Sequence, residues 1–518
     1  MAHGKSDAKR TGLKPRRYAV RLVGGPSARL APDFLSFTID TSLLVGGHWW
    51  GKTQGVKQGL APDTVTPLNL RNPALATWAS FLSPAILRVG GTEADRIRYG
   101  FTKEIPRPEA WELANSSNGS REIVQVPPPL HTFVFKKKLW KRLCRFAAQN
   151  GLKLLFTLGA GPESRDAWGR WIPDDALRLL SYSGRKNLQV FAWEFGNEVN
   201  AFPFLFGLKH GVSAQRYAQD FAVFAELVHR IVPDSLAVGP SSAIWPLIGE
   251  PHPIIPRLCK SSAAPQIDAL SFHYYPQQSS RGPFAVRRAR ENTLFSARVL
   301  NGAQRWVNYV RRQQADTPAA NAPLWITETG HALYGGEPGV SDTWLSTPWW
   351  LDQLGLLATT GVERVFRQAL VGSDYGLLDE KTYEPRSDFY ASFLWKKLVG
   401  TTVFPAPQVL GKDRKLRAWH LGGQEGRTWI LLINLNLKRA AQIELSTPCD
   451  RFLLLEPDGK PQSSQILLNG QPVGPELATG WNKRRVRDRF KLDASPPAEA
   501  GPFSLPPLSC AFLSPRSP

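Results

Sequence analysis

Residues 190–200, VFAWEFGNEVN, and 323–336, PLWITETGHALYGG, decide how this chain is read. Each sets a Glu after a short apolar, β-favouring run: Glu198 after Val190-Phe191-Ala192-Trp193, Glu328 after Leu324-Trp325-Ile326. A Glu at the exit of a strand stands where a (β/α)8 barrel keeps its chemistry, at the C-terminal face. Working outward, strand-like runs occur at 34–40, 85–90, 152–158, 188–195, 236–239, 267–273, 324–328 and 364–369. Stretches of helical period at 136–149, 214–231, 295–312 and 344–360 lie between several of them. Strand–helix alternation repeated in this way predicts an α/β fold, a (β/α)8 TIM barrel. Glu198 then follows the fourth strand and Glu328 the seventh.

Beyond about residue 400 the texture changes to short β-rich runs, such as WILLI at 429–433 and RFLLL at 451–455, broken by Gly, Pro and Asn. That pattern predicts a C-terminal all-β sandwich. A strand-like run at 17–23 has no helix after it and is expected to join the sandwich from the other chain end. The expected division is a basic tail at 1–16, sandwich strand at 17–30, barrel at 31–400 and sandwich at 401–518. A chain of 518 residues has room for one barrel and a satellite.

With 64 Lys+Arg against 43 Asp+Glu the net charge is +21, a balance that draws polyanions such as acidic polysaccharide, nucleic acid or anionic membrane. No nucleic-acid motif accompanies the charge, and no apolar run approaches the ~18 residues of a membrane span. Cys144, Cys259, Cys449 and Cys510 lack metal or redox spacing and read as isolated buried thiols, although Cys449 and Cys510 are near enough in sequence to meet. The basic start, MAHGKSDAKRTGLKPRR, shows no signal-peptide apolar region. The sequons at Asn115 and Asn118 lie in a Ser/Asn-rich stretch that produces them readily. Residues 46–53, GGHWWGKT, satisfy a phosphate-loop pattern, but His-Trp-Trp at its centre would obstruct amides wrapping a phosphate.

Cutting a glycosidic bond takes one carboxyl to protonate the leaving oxygen and one carboxylate to attack or stabilise the anomeric carbon. In retaining enzymes the two stand ~5–5.5 Å apart. Glu198 and Glu328, both at strand ends, are the candidates, and Asn197 is placed to hydrogen-bond a sugar 2-hydroxyl. The alternative for either Glu alone is an ordinary capping or salt-bridged acid.

The motifs FLSFTID at 34–40, LRVGGTEAD at 87–95, WEFGNEVN at 193–200, FHYYP at 272–276 and LWITETGHALYGG at 324–336 carry a resemblance. So do 341–380, 388–404 and EPDGKPQSSQILLNG at 456–470. Together they resemble glycoside hydrolase family 79, and within it the heparanases. The resemblance implies a β-glucuronidase working by double displacement, with no metal and no organic cofactor. It implies Glu198 as acid/base and Glu328 as nucleophile. Asp40, Thr92, Asn197, Gln368 and Tyr375 fall on glucuronate-subsite positions, Tyr275 on the Tyr that orients the nucleophile, with His273 beside it. Gly335 and Gly336 match glycines whose amides hold the sugar carboxylate. The expected partner is an acidic polysaccharide, heparan sulfate first, met by a monomer in a secreted or periplasmic setting. Rival readings are an exo-β-glucuronidase, a hyaluronan-cleaving relative and a glycan-binding pseudoenzyme.

The chain departs from the family pattern at Val199, in place of Pro, and at Glu337, in place of a third Gly. The loop from Glu328 to Tyr334 is one residue longer, with Gly330-His331 replacing a Ser pair. Cys449 and Cys510 do not both match the family's disulfide positions. The 100–135 segment is too short for the family's excised linker, so a single chain active without processing is expected. Arg165 and Arg170 after the third strand, and Arg281, Arg287, Arg288 and Arg290 after the sixth, could fork onto sulfates or carboxylates. Lys136–Lys138 with Lys141-Arg142, and Lys483–Arg485, read as solvated faces. Trp49, Trp50, Trp168 and Trp171 could stack on sugars or pack within loops.

Overall fold

The computed structural model describes residues 13–46, 65–101, 133–282, 286–473 and 495–516. Eight parallel strands close a barrel in chain order: β1 (Leu35–Asp40), β2 (Ala85–Gly90), β3 (Leu152–Leu158), β4 (Ala192–Phe195), β5 (Leu236–Ile244), β6 (Ala269–Tyr274), β7 (Leu324–Thr329) and β8 (Arg364–Arg367). β8 returns to β1 with Val365 opposite Leu35, so no strand edge is left open. One interior layer is filled by Ile86, Leu155, Ala192, Val238, Ala269, Trp325 and Phe366, all fully buried. This is the packed interior that forces polar chemistry out to the rim.

The outer ring follows from amphipathic patterning and local caps. Its principal helices are α1 (Pro73–Phe81), α2 (Lys137–Gln149), α3 (Asp174–Arg185), α4 (Ala214–Ile231), α5 (Ile255–Cys259), α6 (Gly302–Gln314), α7 (Ser346–Thr359) and α8 (Ser387–Leu398). α4 buries Tyr217, Phe221, Phe224 and Val228, one face of a helix, and starts where Ser213 Oγ accepts from Arg216 N at 3.2 Å. α1 starts with Pro73 after Asn72, whose side chain accepts from Ala74 N at 2.8 Å.

Three elements differ from the sequence reading. The helix read as 295–312 is broken at Asn301 (φ −98°, ψ 2°), giving Ala297–Leu300 and then α6. β4 begins at Ala192 rather than 188. β5 does not stop before Pro240, as proline in a central strand suggests. It runs on to Ile244 through a register shift against β6 and a left-handed Ser241, a bulge that re-aims the strand end.

Two further sheets sandwich a second core. One has strands Gln408–Gly411, Arg16–Arg21, Ala441–Leu445 and Gly501–Leu505, in that order. The other centres on Leu416–Gly423, Thr428–Asn434, Ser509–Pro515 and Cys449–Leu455. Tyr18, Ile443, Phe503, Leu432 and Leu513 meet between them. The opposite face of the larger sheet covers α7: buried Asp352 accepts from Arg417 Nε at 2.8 Å and from Trp419 Nε1 at 3.0 Å. All four cysteines are buried and free, and the strand register sets Cys449 opposite Pro515 and Cys510 opposite Leu454.

Trp49, Trp50, residues 47–53 of the phosphate-loop pattern, Asn115, Asn118, Lys483–Arg485, tail residues 1–12 and segment 102–132 lie outside the described residues. No helix among the described residues is long and apolar enough to cross a membrane.

Candidate active site

Glu198 and Glu328 come together at the C-terminal rim of the barrel. WEFGNEVN turns sharply after β4, and Glu198 takes a left-handed backbone (φ 54°, ψ 42°), a conformation costly for a non-glycine residue and typical of functional sites. Its N–H donates to Ser241 O in the bulge of β5 at 3.2 Å. Glu328, near the end of β7, is held at both oxygens. Tyr275 OH donates to Oε1 at 2.6 Å and Arg88 Nη1 to Oε2 at 3.0 Å.

Arg88, fully buried on β2, organises the floor beneath the pair. Its Nε donates to Glu194 Oε2 at 2.8 Å, and its Nη2 to Asn197 Oδ1 at 2.9 Å. The same Nη2 stands 3.2 Å from His273 Nε2. A guanidinium only donates, so Nε2 of this imidazole is the acceptor and Nδ1 carries the proton. His273 Nδ1 lies 3.0 Å from Glu198 Oε1, making that contact an N–H donation to the carboxyl. Asn197 is oriented by the same logic. Its Oδ1 accepts from Arg88 and from Gly91 N (3.0 Å), which leaves its amide NH2 facing the pocket.

Burial, and then the negative charge of Glu328, hold the Glu198 carboxyl well above its ordinary value. Burial also raises Glu328, against the lowering influence of Arg88 and the Tyr275 hydroxyl. Burial, and then the charge of Arg88, keep His273 well below its usual pKa, hence neutral. Asp40 is pushed up to about 8 by burial, with smaller contributions from Glu328 and Glu93. Its side chain accepts from Ser42 N at 3.0 Å and presses so closely on Gly91 that a Cβ there would lie 1.9 Å from Oδ2.

One pocket is lined by Glu198 and Glu328 together with Asp40, Thr92, Asn197, Tyr275, Gly335, Gln368 and Tyr375. Gln368 receives the Thr38 hydroxyl at Oε1 and offers Nε2 to Tyr375 OH at 3.4 Å. Gly336 adjoins this lining without being part of it. Its φ is +88°, and a Cβ would stand 2.9 Å from Tyr375 N, so only glycine fits. Gly91, Leu205, Trp245, Leu333 and Tyr334 complete the wall and were not anticipated from sequence.

The sequence profile described as Glycosyl hydrolase family 79, N-terminal domain, matches residues 38–355. The chain belongs to this family. Heparanase of Rattus norvegicus is 30% identical over 489 residues, covering 86% of this chain and 84% of the relative. Baicalin-beta-D-glucuronidase of Scutellaria baicalensis is 24% identical over 482 residues, covering 87% and 85%. In fold the chain is similar to a solved 4-O-alpha-L-rhamnosyl-beta-D-glucuronidase of Fusarium oxysporum (TM-score 0.65, 15% identity, 96% of this chain and 100% of that one). The protein is therefore a glycoside hydrolase built on the barrel.

Most of the basic residues nominated for sulfate contact in this family 79 chain are paired with acids of the chain itself. Arg165 is partly buried, with Nη1 on Asp220 at 2.6 Å and on Gly169 O at 2.8 Å. Arg170 pairs with Asp166 at 2.7 Å and lies over exposed Trp168, while Trp171 packs inward with Nε1 on Gly159 O at 3.0 Å. Arg281 is bonded to Asp374 and to Gly336 O. Arg288 pairs with Glu337 at 3.1 Å, which turns the charge of Glu337 toward that guanidinium and Ser280 N. Of the six nominated, Arg287 and Arg290 have no carboxylate partner among the described residues.

Glu198, His273 and Glu328 offer ligand atoms within 4.8 Å of one another. They do not suit a cation. The imidazole nitrogen facing the carboxyls carries the proton, and the Arg88 guanidinium is already 3.0 Å from Glu328.

Proposed function

We propose that this glycoside hydrolase is a retaining endo-β-glucuronidase that cleaves internal glucuronide linkages of heparan sulfate-type glycosaminoglycan. The observation that carries the reading is the spacing of Glu198 and Glu328, whose oxygens approach within 4.8 Å. Retaining enzymes hold the pair ~5–5.5 Å apart, whereas inverting ones leave room for a water. Substrate class is supported by the heparanase relatives and by the +21 net charge.

In this reading Glu328, ionised and fixed at both oxygens by Tyr275 and Arg88, attacks C1 of a glucuronate. Glu198, kept protonated by burial and by the charge of Glu328, gives its proton to the leaving oxygen. Once Glu328 is esterified its charge is gone, and one cause of the raised Glu198 pKa goes with it. Glu198 then ionises more readily, as the N–H of His273 also favours, and can take a proton from the water that releases the sugar. The free amide of Asn197 is positioned to hold the 2-hydroxyl as charge develops. Gly335, Gly336, Asp40, Thr92, Gln368 and Tyr375 would shape the glucuronate subsite.

The test is the size distribution of products from heparan sulfate treated with the purified chain. Fragments of intermediate length are expected. Monosaccharide alone would replace internal cleavage with exo action, a mode favoured by likeness to a glucuronidase named for baicalin. An undiminished polymer that also resists as hyaluronan and as small glucuronides would overturn the reading in favour of a glycan-binding protein.

A further inference from the structure

A second cavity, about 440 Å³, adjoins the catalytic pocket on the β5–β6 side. Tyr275 lines both cavities, and Trp245 of the first is followed in sequence by Pro246 and Leu247 of the second. Glu198 is tied to that same side through Ser241 and His273. The acid proposed for the leaving group is thus anchored on the side of the pocket that this cavity adjoins.

The lining of this cavity includes three guanidinium groups, Arg287, Arg298 and Arg305, and no carboxylate. None of the three has an acidic partner among the described residues, in contrast to Arg165, Arg170, Arg281 and Arg288. They are close enough to oppose one another: burial, and then the charges of Arg298 and Arg305, pull Arg287 below its usual pKa. Arg305 also lies over the Trp306 ring at 5.4 Å. The Tyr274 hydroxyl has no hydrogen-bond partner among the described residues and sits against Gly302, where a Cβ would be 2.0 Å away. Three like charges, with Arg298 and Arg305 on exposed side chains, line a cavity beside a hydroxyl that has no partner among the described residues, an arrangement that an oxyanion would complement.

We infer that Arg287, Arg298 and Arg305 form an oxyanion subsite for a sulfate or carboxylate on the leaving-group half of the substrate. The inference deepens the glucuronidase reading and rests on it for its position in the reaction. Planar guanidinium groups suit either anion. The Trp306 face and Leu247 provide an apolar wall for the sugar ring that bears it.

The experiment uses the full chain and the double variant Arg298→Gln/Arg305→Gln, with melting temperature as a folding control. Three substrates are compared: a sulfated heparan-type oligosaccharide, the unsulfated oligosaccharide of the same backbone, and 4-nitrophenyl β-glucuronide. The reading is kcat/KM on each oligosaccharide divided by kcat/KM on the nitrophenyl glucuronide. A fall of about tenfold or more, confined to the sulfated ratio, would identify sulfate as the bound group. An equal fall in both ratios would identify a carboxylate. Ratios that do not move would overturn the subsite. Should the wild-type chain cleave none of the three, the glucuronidase reading fails instead. Calorimetric binding of the sulfated oligosaccharide then decides: weakening by about tenfold in the double variant supports the subsite, and equal affinity overturns it.

Discussion

His273 Nδ1 donates to Glu198 Oε1 at 3.0 Å because Arg88 occupies the other ring nitrogen. A neutral donor aimed at a carboxyl favours its ionised form and so works against burial, which raises the pKa. In His273→Asn, too short to reach, the Glu198 pKa rises. With Glu198 as the proposed acid, the alkaline limb of the pH profile of kcat/KM reports loss of its proton and moves to higher pH. A limb displaced to lower pH would contradict the tautomer assigned to His273.

Glu328→Gln keeps the size of the side chain and an oxygen for Tyr275 or Arg88 but removes the proposed nucleophile. Turnover falls by about 10⁴-fold or more, while an oligosaccharide binds as it does to the wild type. Hydrolysis at a rate near wild type would remove Glu328 from its role.

Arg88→Met leaves Glu194 and Glu328 buried without their shared cation. Breaking a buried pair from one side costs about 3–5 kcal/mol, so the urea midpoint drops and activity is lost with it. Arg88→Lys keeps the charge but lacks the fork that reaches four partners, and its midpoint falls between the two. An unchanged midpoint in Arg88→Met would mean that the floor of the site is held by something else.

Asp40 has a folded-state pKa of about 8, above the ordinary 3.8, so the native state binds its proton more tightly than the unfolded chain does. That contribution to stability is complete below about pH 3.8 and is lost as pH rises through about 8. Asp40→Asn removes the dependence. The melting temperature of the variant, measured against wild type, gains steadily between these two pH values. Parallel curves across that range would show that Asp40 titrates normally.

The eight strands were legible because each is an apolar run with a helix or turn signal beside it, and the two glutamates because they end such runs. Arg88 was not legible. Within AILRVGG it is a single cation in an apolar strand, and only barrel closure brings Glu194, Asn197, His273 and Glu328 around it. The basic residues were legible only as charge, for a related reason. Sequence displays the charge of Arg165, Arg281 and Arg288 but not the acids that reach them from Asp220, Asp374 and Glu337. The departure at Glu337 and the pairing of Arg288 turn out to be one event, a local ion pair across two loops.

The strand Arg16–Arg21, set between Gln408–Gly411 and Ala441–Leu445, also imposes an order on biosynthesis. Tyr18 leaves the ribosome early, yet its partner Asp413 lies 395 residues later in the chain. The barrel strands are all synthesised before that partner exists, and domains fold as units during synthesis. The barrel can therefore close around its site while Arg16–Arg21 still waits, unpaired, for Gln408–Gly411 and Ala441–Leu445 to arrive.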